Sequence, residues 1–260
     1  MGNIVNFPLV RDYFTNNTEE KIDVNGKPYK EYSPVKYRWT HGASDYHLGD
    51  GLLVYSVIQY MRAKTCVCLG SGGGFIPRIM SQARMELHDQ EIFSGNKQME
   101  WGDIGTTILV DANNGINGHT DWTELNSFFR QNFPCRVIID STDRAFYNYF
   151  VKEDIRIDYL HIDAGHSFEN IKQDFDLYSS ILSPHGIISV HDTDESFSED
   201  YIVTNDISND DHQDYTHGPS LFMREIRKNP EWEVFNFFNN RILRTRPSST
   251  GLTFIQRCKK

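Results

Sequence analysis

The stretch from Asp158 to Thr193, DYLHIDAGHSFENIKQDFDLYSSILSPHGIISVHDT, reads as strand, loop, helix, turn, strand. Such a unit belongs to a parallel sheet with a crossover helix. An acid stands at the end of each strand: Asp163 after YLHI and Asp192 after IISVH. In a parallel sheet both strand ends reach the same edge, where α/β proteins bind ligands. Neighbouring strands lie about 4.8 Å apart. If the two strands are neighbours, two carboxylates and up to three histidines (His161, His166, His191) converge on one small volume. That set suits a divalent metal, a general base, or both.

The rest of the chain alternates in the same way. Leu48 to Ala63 reads as a helix and Thr65 to Leu69 as a buried strand, ending in Gly70-Ser71-Gly72-Gly73-Gly74. FIPRIMSQARMEL follows as a helix, where Pro77 fits only in the first turn. Residues 86–105 read as an irregular insertion. Thr107 to Val110 is a strand ended by Asp111, and a helix with body WTELNSFFRQNF is capped by Thr120 or Asp121. Arg136 to Ile139 is a third strand, ended by Asp140-Ser141-Thr142, and Ala145 to Lys152 is a short helix. Within the opening stretch, Phe168 to Leu182 is the helix and Pro184-His185-Gly186 the turn. Gly218-Pro219-Ser220 starts a helix, and Glu231 to Phe238 and Gly251 to Arg257 are the closing strands.

This order predicts an α/β fold: a doubly wound, mostly parallel seven-stranded sheet with an antiparallel last strand. Residues 1–47 read as an N-terminal extension that packs on the core or covers a site, and residues 48–260 as the main domain. Within it the acidic stretch 194–217 reads as a surface loop or lid.

Bulk properties narrow the function. A chain of 260 residues suits one large α/β domain. With 36 acids against 26 bases the net charge is -10. That argues against nucleic-acid or membrane-surface binding, which need a basic patch. No apolar run approaches the roughly 20 residues of a membrane span, and the first residues lack a secretory h-region. Cys66, Cys68, Cys135 and Cys258 have no zinc spacing and read as reduced thiols of a cytoplasmic protein. Oligomeric state stays open, a homo-oligomer included.

The glycine loop points to a nucleoside ligand. Glycines let a ligand approach the backbone and allow turns with positive φ. The spacing is Gly70, Gly72, Gly74, so the third glycine of the dinucleotide fingerprint falls instead on Phe75. Asp111 ends the next strand, where a carboxylate can accept both ribose hydroxyls of an adenosine. The plain alternative is an acid that caps a turn.

With these residues in place, the chain resembles class I S-adenosylmethionine-dependent methyltransferases from about Leu48 onward. Cys68-Leu69-Gly70-Ser71-Gly72-Gly73-Gly74 follows that family's first motif, with Cys68 in place of its acid. The resemblance implies a Rossmann-like methyltransferase fold and S-adenosyl-L-methionine as cofactor. Gly70, Ser71, Gly72, Gly74 and Asp111 would bind it, with Asp140 and Ser141 flanking adenine.

IDAGHSFENIKQDF with LSPHGIISVHDT behind it looks like metal-dependent O-methyltransferases related to macrolide-sugar methyltransferases and the cephalosporin-hydroxylase-like group. That likeness implies Asp163 and Asp192 as metal ligands, His166 as general base, and a small hydroxyl-bearing, sugar-like acceptor. His191 stands where the group has the first acid of a pair. Magnesium prefers oxygen ligands, so His191 in the set leaves Mg2+, a softer ion such as Mn2+, or a weakened site.

Two other readings stay open. A nicotinamide-dependent oxidoreductase is disfavoured by the missing third glycine and the long gap before Asp111. A non-catalytic Rossmann-like binding module would not need His166 beside paired strand-end acids. His161, inside a strand, reads as a hydrogen-bonded core residue; His41, His47 and His217 could line the pocket from the extension and the lid, with a surface position the preferred reading of each.

Overall fold

A computed structural model of the chain describes residues 20–22, 28–30, 41, 48–71, 74–93, 105–112, 122, 125, 128–194, 210–237 and 251–258. Strands β1 (Glu20–Ile22) and β2 (Pro28–Lys30) pair antiparallel as a small separate sheet within the extension. The main elements follow as α1 (Asp50–Met61), β3 (Thr65–Leu69), α2 (Phe75–Phe93), β4 (Thr106–Asp111), α3 (Phe128–Asn132) and β5 (Cys135–Ile139). Then come α4 (Thr142–Ala145), a π-helical stretch Phe146–Val151, β6 (Ile157–Ile162) and α5 (Phe168–Ser179). The chain closes with β7 (Leu182–His191), α6 (Asp210–Ile226), β8 (Trp232–Phe237) and β9 (Leu252–Arg257).

Seven strands form one sheet in the order β5-β4-β3-β6-β7-β9-β8. The pairs from β5 through β7 are parallel, and β9 runs antiparallel to both β7 and β8. The expected sheet, with its one antiparallel last strand, is the sheet observed. Strand order reverses between β3 and β6, the switch point at which open α/β sheets bind ligands.

Amphipathic spacing builds the two faces. Gly51, Val54 and Ile58 of α1 are buried, as are Phe75, Ile76, Ile79, Met80 and Ala83 of α2, and these two helices cover one face. In α5 the buried positions are Ile171, Asp174, Phe175 and Tyr178, an i, i+3, i+4, i+7 stripe. It packs with Phe222 and Met223 of α6 and Phe150 on the other face. Ser167 caps α5 by accepting the Asn170 N–H at 3.1 Å.

Several boundaries differ from the sequence reading. Helix α2 runs on to Phe93 because Leu87 and His88 still face the core, so the first residues of the expected insertion are helical. The expected turn Pro184-His185-Gly186 lies inside β7. There the register with β6 jumps from Ile157↔Leu182 to Tyr159↔Ile187, and the extra residues form a bulge that tolerates proline. Helix α6 starts at Asp210, not at Gly218, and carries Pro219 inside it, so Asp210–His217 of the expected loop are helical. The helix expected from Asp121 is described only at Phe128–Asn132, with turns at Trp122 and Leu125. Among the described residues no helix is long and apolar enough to cross a membrane.

Candidate active site

Parallel pairing brings the strand ends into one row. Gly70 donates to the Val110 carbonyl at 2.8 Å, Asp163 to that of Leu69 at 2.8 Å, and Asp140 to that of Asp111 at 3.2 Å. Along the sheet edge the order is therefore Asp140, Asp111, Gly70, Asp163 and the His191-Asp192 pair. Gly70 has φ 73°, and a β-carbon there would stand 2.2 Å from the Asp163 carbonyl oxygen. Only glycine lets the β3 and β6 ends approach this closely. The Cys68 thiol donates to the Gly70 carbonyl at 2.9 Å, and burial pushes its pKa well above the ordinary value, so it is a neutral anchor.

Over Gly70 lies a cavity of about 310 Å³, lined by Ser71, Asp111, Ser141, Asn170 and Asp174 among others and reaching Asp163. Asp111 is buried and its Oδ2 accepts the Ser71 N–H at 3.2 Å, so the acid braces the glycine loop while facing the cavity. The Ser71 hydroxyl is buried without a hydrogen-bond partner among the described residues. Asp140 does not line the cavity: its Oδ1 accepts the Ser141 N–H at 2.9 Å and Arg144 Nε at 2.7 Å, which orients Ser141. Gly74, at φ 80°, packs on Trp122. Gly72 lies outside the described residues.

At the Asp163 end of this cavity Asp163, His166, His191 and Asp192 come together. His166 Nε2 is 2.9 Å from Asp192 Oδ2 and 3.5 Å from Asp163 Oδ1. His191 Nδ1 is 3.1 Å from Asp192 Oδ1 and 3.4 Å from Asp163 Oδ1. Asp192 sits at φ 57°, a left-handed conformation that a short polar side chain tolerates. Burial alone would lower the His166 pKa, but the carboxylates of Asp163 and Asp192 outweigh it and push it up to about 11. His191 is raised for the same reason. Burial would raise the two acids, yet the charge on His191 and contacts to His166 hold both well below the carboxylate range. The two carboxylates thus favour the charged form of both imidazoles, and the imidazoles that of both carboxylates.

Donor atoms of Asp163, His191 and Asp192 lie within 4.8 Å of one another. Two carboxylates and an imidazole so placed fit a divalent ion.

Three further neighbours join the site, of which the sequence reading offered only His41, as an alternative to its preferred surface position. His41, expected at the surface, is buried, with Nε2 3.2 Å from Asp163 Oδ2 and its ring centroid 4.1 Å from that of His191. Asp50 in the first turn of α1 is buried 3.7 Å from His191 Nε2. Asp174 lies in the apolar stripe of α5 and lines the cavity. None carries a local signal, because each reaches the site only through tertiary packing. His47, and the side chain of His217, lie outside the described residues.

Residues 67–193 match the model of a methyltransferase-domain family. No curated protein sequence matches the chain. Among solved structures the fold is similar to an O-methyltransferase from Bacillus cereus in complex with SAH. That pair shares 14% identity over 80% of each chain, with a TM-score of 0.56. It is also similar to an O-methyltransferase of tomaymycin synthesis from Streptomyces achromogenes in complex with SAM, at 11% identity over 81% of this chain and 80% of that one, TM-score 0.55. A SAH-bound methyltransferase from Podospora anserina covers 100% of both chains at 15% identity, TM-score 0.53. At such identities the likeness to these structures establishes the fold.

Proposed function

We propose that this chain, a class I S-adenosylmethionine-dependent methyltransferase by fold and domain family, methylates a hydroxyl oxygen of a small, sugar-like acceptor in the cytoplasm. The observation that carries this reading is that Asp163 joins two neighbouring features of one sheet edge. It lines the cavity that contains Asp111 and belongs to the cluster with His166, His191 and Asp192.

The unpartnered Ser71 hydroxyl and the buried Asp111 suit the cofactor's polar groups, so the cavity fits S-adenosylmethionine. Asp111 would accept the ribose hydroxyls and Ser141 would flank adenine, with Asp140 holding Ser141 in place. When bound, the cofactor supplies a methyl group already activated by its sulfonium. The protein's work is then to align an acceptor oxygen and remove its proton.

Asp163, Asp192 and His191 would hold the divalent ion, Mg2+ or Mn2+, which supplies positive charge that lowers the pKa of an acceptor hydroxyl. His166 is paired to the same carboxylates. Freed from that pairing, it becomes a neutral imidazole able to take the acceptor proton at Nε2.

Calorimetry with S-adenosylhomocysteine against NAD tests the donor. Transfer of a labelled methyl group to a panel of sugars and other hydroxyl compounds, with and without chelator, tests the acceptor and the ion. Binding of NAD in preference to S-adenosylhomocysteine would defeat the reading.

A further inference from the structure

His161 has no part in the reading above, yet its surroundings are built. It is fully buried on β6, and Ser189 of the paired strand β7 holds its Nδ1 at 2.8 Å. The same hydroxyl lies 2.8 Å from the Tyr159 phenol. Its Nε2 has no hydrogen-bond partner among the described residues. A buried polar nitrogen left unbonded is destabilising. Fixing one ring nitrogen so that the other is presented is how proteins orient histidine toward a metal.

Two further donors meet it. His41, from the extension, and Asp163 offer ligand atoms that lie, with that of His161, within 4.8 Å of one another. Opposite ligands of a first-row ion with bonds of about 2.1 Å stand about 4.2 Å apart. A small contraction therefore closes this set on one ion.

We propose that His41, His161 and Asp163 form a buried site for a borderline transition metal such as Zn2+ or Co2+. It is separate from the carboxylate-rich position at Asp163, His191 and Asp192. Two imidazoles and one carboxylate are a donor set that such ions favour and Mg2+ does not. Asp163 belongs to both groups, and a shared carboxylate is a common bridge between neighbouring ions. An ion here would tie the extension to the sheet through His41. This site goes beyond the methyl-transfer reading and does not depend on it.

Cobalt gives a readout other than activity. Chelator-treated full-length protein is titrated with Co2+, and the visible ligand-field band of a low-symmetry nitrogen–oxygen site is recorded. One equivalent is expected to raise the band. His41→Ala, which leaves every sheet residue intact, is expected to weaken binding at least about tenfold, as is His161→Gln, while Asp192→Asn keeps the band. Absence of Co2+ binding by the wild type, or an unchanged affinity and spectrum in His41→Ala, overturns the site. Equal loss of the band in Asp192→Asn overturns its separateness. S-adenosylhomocysteine calorimetry on the same samples reports the donor pocket, so failure of one reading is distinguishable from failure of the other.

Discussion

Gly218 of α6 lies directly against the His166 loop: a β-carbon there would stand 2.0 Å from the His166 carbonyl oxygen and 2.5 Å from the Phe168 nitrogen. Backbone, not a flexible side chain, is what it would meet. Gly218→Ala must therefore push α6 and the loop apart. The expected outcome is a loss of about 1–3 kcal/mol of stability. Turnover should fall about tenfold or more while S-adenosylhomocysteine affinity stays within about threefold, since reacting groups are sensitive to misplacements near 1 Å. Thermal melts and calorimetry check both, and normal turnover in the folded variant would show that α6 does not set the His166 position.

His166→Ala should cut turnover about a hundredfold or more, the usual range for a general base, with cofactor affinity unchanged. Turnover equal to the wild type in a working assay would remove the base role. Excess chelator should abolish activity as well, because the ion that Asp163, Asp192 and His191 would hold could no longer lower the pKa of the acceptor hydroxyl. Full activity in chelator, with no metal found by elemental analysis, would refute a catalytic ion.

What the sequence disclosed and what it concealed divide along contact range. Asp163, His166 and Asp192 were legible because a single strand–helix–strand unit delivers all three to one edge. The sheet was legible because strand and helix patterns alternate up to the last two strands, whose direct succession marks the antiparallel one. His41 was not, since it meets Asp163 across 122 positions of chain and nothing near it distinguishes a buried ligand from a surface histidine. Asp50 stands in the first turn of α1, where an acid is favourable whatever it faces, so its position carries no signal of the site. Local punctuation misled twice: Pro219 imitates a helix start and Pro184-His185-Gly186 a turn. In both places packing on the sheet overrode the local preference of proline.

Asp111→Ala should weaken S-adenosylhomocysteine binding about tenfold or more. It removes a charged acceptor, whose hydrogen bonds are typically worth about 1.5–3 kcal/mol, and leaves the Ser71 N–H that it accepts at 3.2 Å without its brace. Asp111→Asn keeps an acceptor for that N–H and separates the two effects. If Asn restores loop stability but not affinity, the carboxylate reads the ribose; if affinity is unchanged in both variants, it does not.

Asp174 gives a pH signature away from the proposed metal ligands. Its carboxyl is 2% exposed within the apolar stripe of α5. Burial raises its pKa to about 7, the Thr142 side chain partly opposing and the charge of Asp143 adding to the rise. A carboxyl whose folded value lies above its unfolded one binds the proton more tightly when folded. Its contribution to stability is thus fully present below about pH 4 and is lost as pH rises through about 7. Asp174→Asn removes that loss. The variant should gain stability over the wild type at pH 8, by up to about 4 kcal/mol at 1.36 kcal/mol per pH step, and the gain should shrink steadily toward pH 4. Chemical denaturation of both proteins across that range measures it. A difference that does not change with pH would mean that Asp174 is ionised in the folded protein throughout, and that its place beside the cavity is that of a permanent carboxylate.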